Sequence, residues 1–575
     1  MTRELPAGTP EPHEGPAAAP RRAAGRGRLR YTRPVVAAAM FVMGACGITY
    51  EYVLGVTGNN LVGSSHEQLF VIIGIMMFAM GLGAVAQKRI RGDLIDWFLA
   101  AEIVLGLLGG LSAVAVYATF VYTTSYRVVM YAFALLVGLL IGLEVPLLIR
   151  INARYAASLR ANLSDVFCMD YVGSLIGALV FTYVLLSRLS TGRIGLILGC
   201  VNTGLALCLL AFFRPLVRRR ALLAIVGAAG LVVLAAAAVR VDDWMARMEQ
   251  RCFEDPVIHA ETSRYQHLVL TRRDDHLRLY INGHLQFSSR DEHVYHEMLV
   301  HVPMAVAPRA RRVLILGGGD GLALREVLRY GQVERVALVD IDPAVIRLAS
   351  EQADLIRLNR AAFHDARVHA RAAEPAGSGR RITIERPTKL AAKLLGDRRY
   401  ELAAVDVYTI DADRFVRERG ERFDVAILDF PDPKTVELAK LYSVEFYRRL
   451  AGRLAPDGVV SIQSTSPRRA RKVFLCIGRT LRAAGFEALP YHDYLPSFGD
   501  WGWHLAWRGG APAGPMRERL ASLAPLGVET AYASPEAIGA AFTFGKGVLA
   551  AGEEEIRANT KFRPVITAYY RKGLN

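Results

Sequence analysis

Seven long apolar stretches in the first 240 residues constrain the fold more than any other feature of this sequence. They lie near residues 35–57, 68–88, 97–120, 128–149, 166–187, 193–213 and 221–239. Each approaches or exceeds the roughly 20 residues that a helix needs to cross a bilayer. We therefore expect a multi-pass α-helical membrane domain of about seven helices over residues 35–240, in contact with lipid in the cell membrane.

The basic residues are distributed as in a membrane protein. The formal net charge is +16, and arginines cluster at residues 21–33 and 214–220, beside apolar stretches. Such clusters orient helices through the positive-inside bias. No groove-reading motif accompanies the charge, so we expect no nucleic-acid partner. Residues 1–34 are rich in Pro, Ala, Gly and Arg and are predicted to be a disordered basic tail.

Four acidic residues interrupt the apolar stretches, namely Glu51, Glu102, Glu144 and Asp170. A charged side chain in the hydrocarbon region is costly unless it has a partner or a function. One interpretation is a cation site that faces the interior of the helix bundle. The other is that these acids pair with arginines or backbone groups or lie near the interface. The sequence leaves both interpretations open.

Beyond residue 241 the pattern changes to short strands. Two segments, Tyr265–Leu270 and His276–Ile281, alternate as strands, and Asn282-Gly283 after the second is a strong hairpin-turn dipeptide; together they predict a small β-hairpin region over 257–300. Strand–turn–helix units then repeat, with strands at Val313–Leu316, Arg335–Val339, Asp406–Ile410, Val425–Leu428 and Val459–Gln463. This repetition predicts an α/β Rossmann-like domain of the methyltransferase type over 301–508. A basic insertion at 371–405 interrupts the domain, and a C-terminal extension covers 509–575.

Acidic residues follow successive strands of the predicted sheet. They are Asp320 in the glycine-rich loop 317–321, Asp340, Asp411 with Ala412, and then Asp429 and Asp432. The carboxyl ends of the strands in an open α/β sheet line one crevice, so we expect these acids to share a ligand site. Glycines let the backbone lie against a ligand, and an acid about 20 residues later suits ribose hydroxyls.

The order of the motifs resembles the spermidine synthase (polyamine aminopropyltransferase) family. The motifs are Tyr265-Gln266, the run Asp291–Glu297, GGGDG at 317–321, VDID at 339–342, DARV at 365–368, DA at 411–412 and DFPDP at 429–433. The segments Lys440–Tyr447 and 496–502 and the apolar first half are similar to the membrane-embedded bacterial branch of that family. The resemblance covers most of the chain beyond the tail.

The resemblance implies transfer of an aminopropyl group from decarboxylated S-adenosylmethionine to a polyamine such as putrescine, giving spermidine and methylthioadenosine. The donor is a co-substrate, and no cofactor is implied. By correspondence Asp429 is the general base, Tyr295 assists it, and Asp432 holds the diamine. The residues expected to hold or adjoin the nucleoside donor are Gln266, His296, Asp320, Asp340, Asp411 and Ala412. The six cysteines form no CxxC pair, so we expect no metal site.

Two departures from the family pattern concern the substrates. Phe430 stands where the family has a small hydroxyl residue, and a bulkier apolar wall there would alter which amine is accepted. The acceptor is therefore left open. The insertion separates the DARV motif from Asp411, so that Asp406 is an alternative for the acid on the adenine side.

Two other functions compete with aminopropyl transfer. An S-adenosylmethionine-dependent methyltransferase has the same fold, but a carboxylate at Asp320 would repel the carboxylate of intact S-adenosylmethionine and attract a bare aminopropyl ammonium. A membrane transporter or sensor of polyamines with a nucleoside-binding module is the second alternative, and the acids in the apolar stretches motivate it. In the resembled family the hairpin region around Asn282 contacts a second subunit, which implies a homo-oligomer.

The distribution of basic residues and the supply of the donor predict opposite sides of the membrane for the second half of the chain. The basic tail and the basic loops near residues 88–91, 154–160 and 214–220 favour a cytoplasmic N-terminus, and seven crossings then place the catalytic domain outside the cytoplasm. The nucleoside donor is made inside the cell. We predict a cytoplasmic catalytic domain because of this supply, which requires one apolar segment not to cross.

Overall fold

The computed structural model describes residues 26–62, 65–153, 159–186, 188–364, 368–370, 404–508, 513–549 and 556–573. Residues 1–25 of the predicted tail, Asp365 of the DARV motif and residues 371–403 of the predicted insertion lie outside the described residues.

Seven long helices make up the first half of the described chain. They are α1 (Arg26–Val62), α2 (Ser65–Ala86), α3 (Leu94–Tyr122), α4 (Tyr126–Asn152), α5 (Leu159–Val180, continued by a π-helical turn at Phe181–Leu185), α6 (Thr191–Phe212) and α7 (Arg220–Gln250). All seven are long and apolar enough to cross a membrane, with apolar segments whose mean hydropathy lies between 1.4 and 2.7. Because consecutive helices run in opposite directions, α1, α3, α5 and α7 end on the same side.

Two of the predicted boundaries of this bundle are wrong. Helix α1 begins at Arg26, inside the predicted tail of 1–34, and helix α7 runs to Gln250, past the predicted end at residue 240. Hydropathy marks only the apolar part of a helix. Backbone hydrogen bonding continues into polar sequence on either side, because it does not depend on side-chain polarity.

Glycines allow the helices to pack at close range. A Cβ atom on Gly142 of α4 would lie 2.1 Å from the carbonyl oxygen of Met80 on α2, and one on Gly173 of α5 would lie 2.0 Å from that of Phe41 on α1. A Cβ on Gly199 of α6 would likewise lie 2.4 Å from the carbonyl of Gly106 on α3. Backbones at these contacts touch, which is the packing that small residues permit between membrane helices.

A four-stranded antiparallel sheet follows the bundle. Its strands are β1 (Val257–Thr262), β2 (His267–Arg273), β3 (His276–Ile281) and β4 (His284–Ser288), in that spatial order. The β3–β4 turn is the predicted one, with positive φ at Asn282 (50°) and Gly283 (75°). The predicted limit of this region at residue 300 cuts through helix α8 (Glu292–Val306), which packs on the second sheet.

The second sheet has eight strands in the order β11-β12-β10-β9-β5-β6-β8-β7. Its bounds are β5 (Arg312–Gly317), β6 (Arg335–Asp340), β7 (Val368–Ala370), β8 (Ala404–Thr409), β9 (Phe423–Asp429), β10 (Leu454–Gln463), β11 (Phe486–Leu495) and β12 (Gly499–Arg508). Strands β7, β8, β6, β5, β9 and β10 are parallel, and β12 and β11 add antiparallel edge pairs. The sheet is thus mixed and Rossmann-like, as predicted. Strand β8 begins inside the predicted insertion limit of 405.

Helices cover both faces of this sheet, which gives it two apolar cores. They are α9 (Leu322–Val327), α10 (Pro343–Glu351), α11 (Ala353–Leu358), α12 (Ala412–Glu418), α13 (Val436–Ala439), α14 (Val444–Ala451) and α15 (Arg471–Ala483). Alternate residues of the buried strands point to opposite faces, so that Val313 and Ile315 of β5 enter one core and Leu314 and Leu316 the other. Burial on both faces explains why these strands read as continuous apolar runs.

The C-terminal extension packs on the α/β domain through buried polar contacts. It contains α16 (Ala513–Ala521), α17 (Pro535–Ala541) and α18 (Val565–Gly573). The carboxylate of Glu297 on α8 accepts the backbone N–H groups of Ala531, Tyr532 and Ala533, each at 2.8 Å. Glu297 also lies close to His301 and Glu326, but these acids accept protein hydrogen bonds, which makes the cluster a structural network.

Candidate active site

The carboxyl ends of β5, β6 and β9, together with the loop after β8, open into one cavity of about 590 Å³ beneath the small sheet. All nine side chains singled out from the sequence line it: Gln266, Tyr295, His296, Asp320, Asp340, Asp411, Ala412, Asp429 and Asp432. Five of the nine are aspartates. A crevice with this much negative charge attracts cationic ligands.

The glycine-rich loop after β5 has room for no side chain at two of its positions. Gly317 has a φ of 86°, and a Cβ atom there would lie 2.0 Å from the carbonyl oxygen of Asp429. A Cβ on Gly319 would lie 2.6 Å from Asp340 Oδ2, because the Gly319 N–H donates to that oxygen at 3.0 Å. The loop therefore holds the ends of three strands together and exposes its backbone to the cavity.

Asp340 and Asp320 are buried carboxyls on the glycine-loop side of the cavity. Burial raises the pKa of Asp340 to about 6, although hydrogen bonds from the backbone N–H groups of Asp342 and Gly319 oppose the rise. Burial also raises the pKa of Asp320 to about 6, with His296 lowering it and Asp429 raising it. A bound cation would stabilise the ionised form of both groups.

Tyr295 and Asp429 form a hydrogen-bonded pair at the centre of the cavity. Tyr295 on α8 donates its hydroxyl to Asp429 Oδ1 at 2.6 Å. Burial and the neighbouring Asp429 charge raise the pKa of Tyr295 well above its ordinary value, so the hydroxyl stays protonated. Asp429 Oδ2 lies 4.0 Å from His296 Nε2 and lines the cavity. One carboxylate oxygen is thus held by a donor, and the other faces the ligand space.

A buried ion pair next to His296 favours the protonated form of its imidazole ring. Its Nδ1 lies 2.9 Å from Glu292 Oε2, and Arg325 donates two hydrogen bonds of 2.8 and 2.9 Å to the same carboxylate. Burial lowers the pKa of His296, but the Glu292 hydrogen bond and charge outweigh it and raise the pKa to about 9. His296 is therefore a cation at neutral pH and partly balances the carboxylates of the cavity.

Asp432 is held by residues from distant parts of the chain. Its Oδ1 accepts from Gln463 Nε2 at 3.1 Å, and its Oδ2 accepts from the Tyr570 hydroxyl at 2.8 Å. Tyr570 comes from helix α18 of the C-terminal extension. Lys434 Nζ lies 5.6 Å from the centroid of the Tyr570 ring, and burial lowers its pKa, opposed by the charge of Asp432.

Asp411 fits the predicted position, whereas Asp406 does not. Asp411 caps helix α12 by accepting the N–H of Asp413 at 2.9 Å, and its Oδ2 lies 2.5 Å from Lys440 Nζ. Asp406 lies in the middle of β8, opposite Ala337 of β6. It forms an ion pair with Arg335 at 2.9 Å. The alternative placement of the acid at Asp406 is therefore wrong, because its strand position directs it away from the crevice.

Phe430 packs into the protein core. Its side chain is 5 % exposed, and its ring packs edge-on against Tyr442 and Phe446. Its backbone carbonyl accepts from Gln463 Nε2 at 2.8 Å, which braces the same side chain that holds Asp432. Phe430 also contributes to the lining of the cavity, so it can affect the acceptor directly as well as through the loop that carries Asp432.

The residues that line the cavity without having been assigned to it from the sequence include Asn59, Lys434, Lys440 and Gln463. Tyr570 acts on the cavity indirectly, because its hydroxyl donates to Asp432, which lines the cavity. Lys440 lies in a segment that carries the resemblance, so its place in the motif could have identified it. Asn59 at the end of α1 and Tyr570 are distant in sequence from every motif, and only the packing of the bundle and the extension brings them near.

The fold and the crevice define an α/β enzyme with a Rossmann-like sheet and an acidic crevice at the carboxyl ends of its strands. Residues 292–373 and 388–516 match the family model described as "Spermine/spermidine synthase domain". The chain is 40 % identical over 477 residues to polyamine aminopropyltransferase 2 of Ralstonia nicotianae, covering 81 % of this chain and 86 % of that protein. It is 39 % identical over 500 residues to polyamine aminopropyltransferase 1 of Streptomyces coelicolor, covering 85 % and 86 %.

A third relative extends over nearly all of the chain. Identity to the polyamine aminopropyltransferase of Oceanobacillus iheyensis is 32 % over 536 residues, which cover 92 % of this chain and 96 % of that protein. Among solved structures, spermidine synthase from Thermotoga maritima is 25 % identical and has a TM-score of 0.40, covering 51 % of this chain and 87 % of that chain. The chain belongs to the polyamine aminopropyltransferase family.

Proposed function

We propose that the crevice transfers the aminopropyl group of decarboxylated S-adenosylmethionine to an amine of a polyamine such as putrescine, giving spermidine and methylthioadenosine. The observation that carries this proposal is the Tyr295–Asp429 pair, in which one carboxylate oxygen is held and the other faces a cavity lined by four more aspartates. The chain is a transferase of the polyamine aminopropyltransferase family, and the residue roles below are our assignment.

Asp429 acts as the general base. A free alkylamine has a pKa near ~10.4 and is protonated at neutral pH, so its nitrogen must lose a proton before it can attack. Asp429 Oδ2 takes that proton as the nitrogen lone pair forms the new C–N bond. The C–S bond of the sulfonium breaks, and sulfur keeps the electron pair as the neutral thioether of methylthioadenosine. The Tyr295 hydrogen bond orients the carboxylate for this transfer.

The donor lies against the glycine loop. Asp340 accepts the ribose hydroxyls, Asp411 and Ala412 contact the adenine, and Gln266 and His296 border the sulfonium side. Asp320 receives the ammonium of the aminopropyl chain. Intact S-adenosylmethionine carries an additional carboxylate on this chain, which the buried Asp320 repels. This repulsion disfavours the binding of intact S-adenosylmethionine and therefore disfavours methyl transfer.

The acceptor amine lies at the other end of the crevice, where Asp432 binds its distal ammonium. Tyr570 and Gln463 both donate to Asp432, so its carboxylate is fixed in place before the amine arrives. Lys434 lies close by and repels a second positive charge that extends past Asp432. We therefore favour a short diamine over a longer polyamine as the acceptor.

The helix bundle is proposed to span the cell membrane, with lipid and a second copy of the chain as its partners. The catalytic domain packs at the end of the bundle where α1 and α7 finish, since Asn59 lines the crevice and His267 of β2 contacts Glu249 of α7. The C-terminal ends of α2, α4 and α6, which the basic segments follow in sequence, lie at the opposite end of the bundle. All seven helices are long enough to cross the membrane, so the distribution of basic residues favours a crevice outside the cytoplasm. The supply of the donor, which is made inside the cell, favours a cytoplasmic crevice.

The cytoplasmic placement therefore stays a prediction, and a reporter fused after Asn575 tests it. A reporter that is active only in the cytoplasm would support the placement. Activity only outside the cytoplasm would overturn it and would agree with the distribution of arginines.

Product analysis tests the reaction itself. The full chain is incubated with putrescine and either decarboxylated or intact S-adenosylmethionine, and the nucleoside products are separated. We expect methylthioadenosine and spermidine with the decarboxylated donor and no turnover with the intact one. Formation of S-adenosylhomocysteine with a methylated amine would overturn the proposal in favour of a methyltransferase. Loss of product in an Asp429→Asn variant would tie the reaction to this crevice.

A further inference from the structure

Two carboxyl groups meet inside the helix bundle, far from the crevice. Glu102 on α3 is 0 % exposed, Glu144 on α4 is 3 % exposed, and their carboxyls lie close enough to interact electrostatically. Glu102 lies eight residues after the start of α3 and Glu144 eight residues before the end of α4. At 1.5 Å per residue both lie about 12 Å from the same end of the bundle, within the hydrocarbon region of a membrane.

Several of the buried oxygen atoms at this pair lack a hydrogen-bond partner. Asn202 on α6 donates its Nδ2 to Glu102 Oε2 at 3.0 Å. Among the described residues, the buried Glu102 Oε1, Glu144 Oε1, Asn202 Oδ1 and Tyr50 Oη have no hydrogen-bond partner. Tyr50 on α1 is 0 % exposed and interacts electrostatically with both carboxyls. Buried acceptors without donors are rare in native proteins, and they point to a missing ligand.

No basic side chain is available to neutralise the pair. In the described part of the chain, neither Glu102 nor Glu144 has an ion-pair partner within 4.0 Å. The nearby helix arginines are engaged elsewhere: Arg150 donates to Gln87 and to the carbonyl of Ile90, and Arg193 pairs with Asp242. Two adjacent carboxyls in an apolar bundle require a positive charge from another source.

We propose that Tyr50, Glu102, Glu144 and Asn202 form a binding site for a compact monovalent cation with several hydrogen-bond donors, supplied as hydronium or as the primary ammonium group of an amine. Such a cation has three donors to share among the four buried oxygens that lack a partner, on Tyr50, Glu102, Glu144 and Asn202. Its charge also neutralises the carboxyl pair, so one ligand satisfies both the hydrogen bonding and the electrostatics of the site.

A third acid of the bundle, Asp170 on α5, interacts with this pair. Asp170, which is half-buried on α5, interacts electrostatically with Glu144, and its carboxyl packs against Gly44 of α1. Among the other titratable groups, Cys46 of α1 interacts with both carboxyls, and Cys200 of α6 interacts with Tyr50. Within the described residues, α2 and α7 contribute none. Asp170 thus adds a half-buried carboxyl to the acids around Glu144.

The experiment compares the full chain with its Glu144→Gln variant in lipid nanodiscs. Two probes are used: radiolabelled putrescine in equilibrium dialysis, and the infrared band of protonated carboxyls across roughly pH 5–9. Glu51→Gln is the matched control, because Glu51 is also an acid of the bundle but does not contact the pair. Because Glu144 lies outside the crevice, Glu144→Gln is expected to keep aminopropyl transfer within about twofold of the unmodified rate.

Loss of one putrescine equivalent per chain in Glu144→Gln, with the Glu51→Gln control unchanged, would support the site with ammonium as the ligand. Unchanged putrescine binding together with loss of a pH-dependent carboxyl band would support it with hydronium. A Glu144→Gln variant that matches the full chain in both measurements would overturn the proposal.

Should Glu144→Gln fail to fold, Tyr50→Phe removes one unpartnered oxygen at little cost in volume. A hydrogen bond to a charged ligand is worth about 1.5–3 kcal/mol, so the affinity for the bound cation should fall about 10- to 100-fold in this variant. Unchanged affinity for both probes in Tyr50→Phe would count against the site. These readouts are independent of turnover, so they do not depend on the reaction proposed for the crevice.

Discussion

Replacing Asp429 by Asn is the most direct test of the proposed chemistry. The two side chains have the same shape, so the hydrogen bond from Tyr295, 2.6 Å long, still has an oxygen to reach. The amide cannot accept a proton from the attacking amine. General-base catalysis contributes about 10²- to 10⁴-fold, so kcat should fall by that factor, which corresponds to about 3–5 kcal/mol in the activation free energy. The KM for the donor should change little.

The assay follows methylthioadenosine release at saturating donor and putrescine. Asp457→Asn, at an exposed aspartate that pairs only with Arg309 on the surface, is the matched control and should retain full activity. Tyr295→Phe should lose less than Asp429→Asn, because it removes one hydrogen bond and leaves the base. If Asp429→Asn kept kcat within about threefold, a base that supplies 10²-fold or more could not be Asp429, and the reasoning would be refuted.

Three further outcomes are expected. Tyr570→Phe removes a donor to Asp432, so the KM for putrescine should rise about 10- to 100-fold in steady-state assays with the donor KM unchanged; equal changes in both would contradict the assignment. Asp340→Asn should weaken donor binding in calorimetric titration and leave putrescine binding intact, and the reverse pattern would place the donor elsewhere. His296 has a pKa raised to about 9, so its contribution to stability is complete below about pH 6.5 and is lost as pH rises through 9. Unfolding midpoints of the full chain should therefore fall across this window by more than those of His296→Gln, and parallel curves would show that His296 is not the titrating group.

The aspartates of the crevice could be foreseen because a parallel sheet brings the ends of its strands to one edge. Asp340, Asp411 and Asp429 each follow a short apolar strand, and that local pattern is enough to place them together. The glycine-rich loop was also predictable from the sequence. Gly317 and Gly319 are needed there because a Cβ atom at either position would collide with neighbouring strand ends. The choice between Asp406 and Asp411 needed the strand register, which the sequence does not reveal.

The limits of the helices and domains were less predictable. Apolar composition located seven helices, but Arg26 and Gln250 lie outside the apolar stretches because a helix continues wherever its backbone hydrogen bonds can form. The predicted limit at residue 300 places the first part of helix α8 in the hairpin region, whereas the apolar face of this helix packs on the larger sheet. Periodicity identifies an element, and tertiary packing decides which domain it joins.

By itself the sequence determined that a bundle of apolar helices precedes an α/β domain with acids at its strand ends, because periodicity and chain order encode these features locally. Only the tertiary structure decided that Tyr570 braces Asp432 and that Glu102 meets Glu144 with Tyr50 and Asn202 around them. These contacts join residues 42 to 138 positions apart, on elements whose relative rotation and placement depend on the packing of the whole chain. Local sequence has no means to specify such rotations, since they follow from the sum of many weak side-chain contacts.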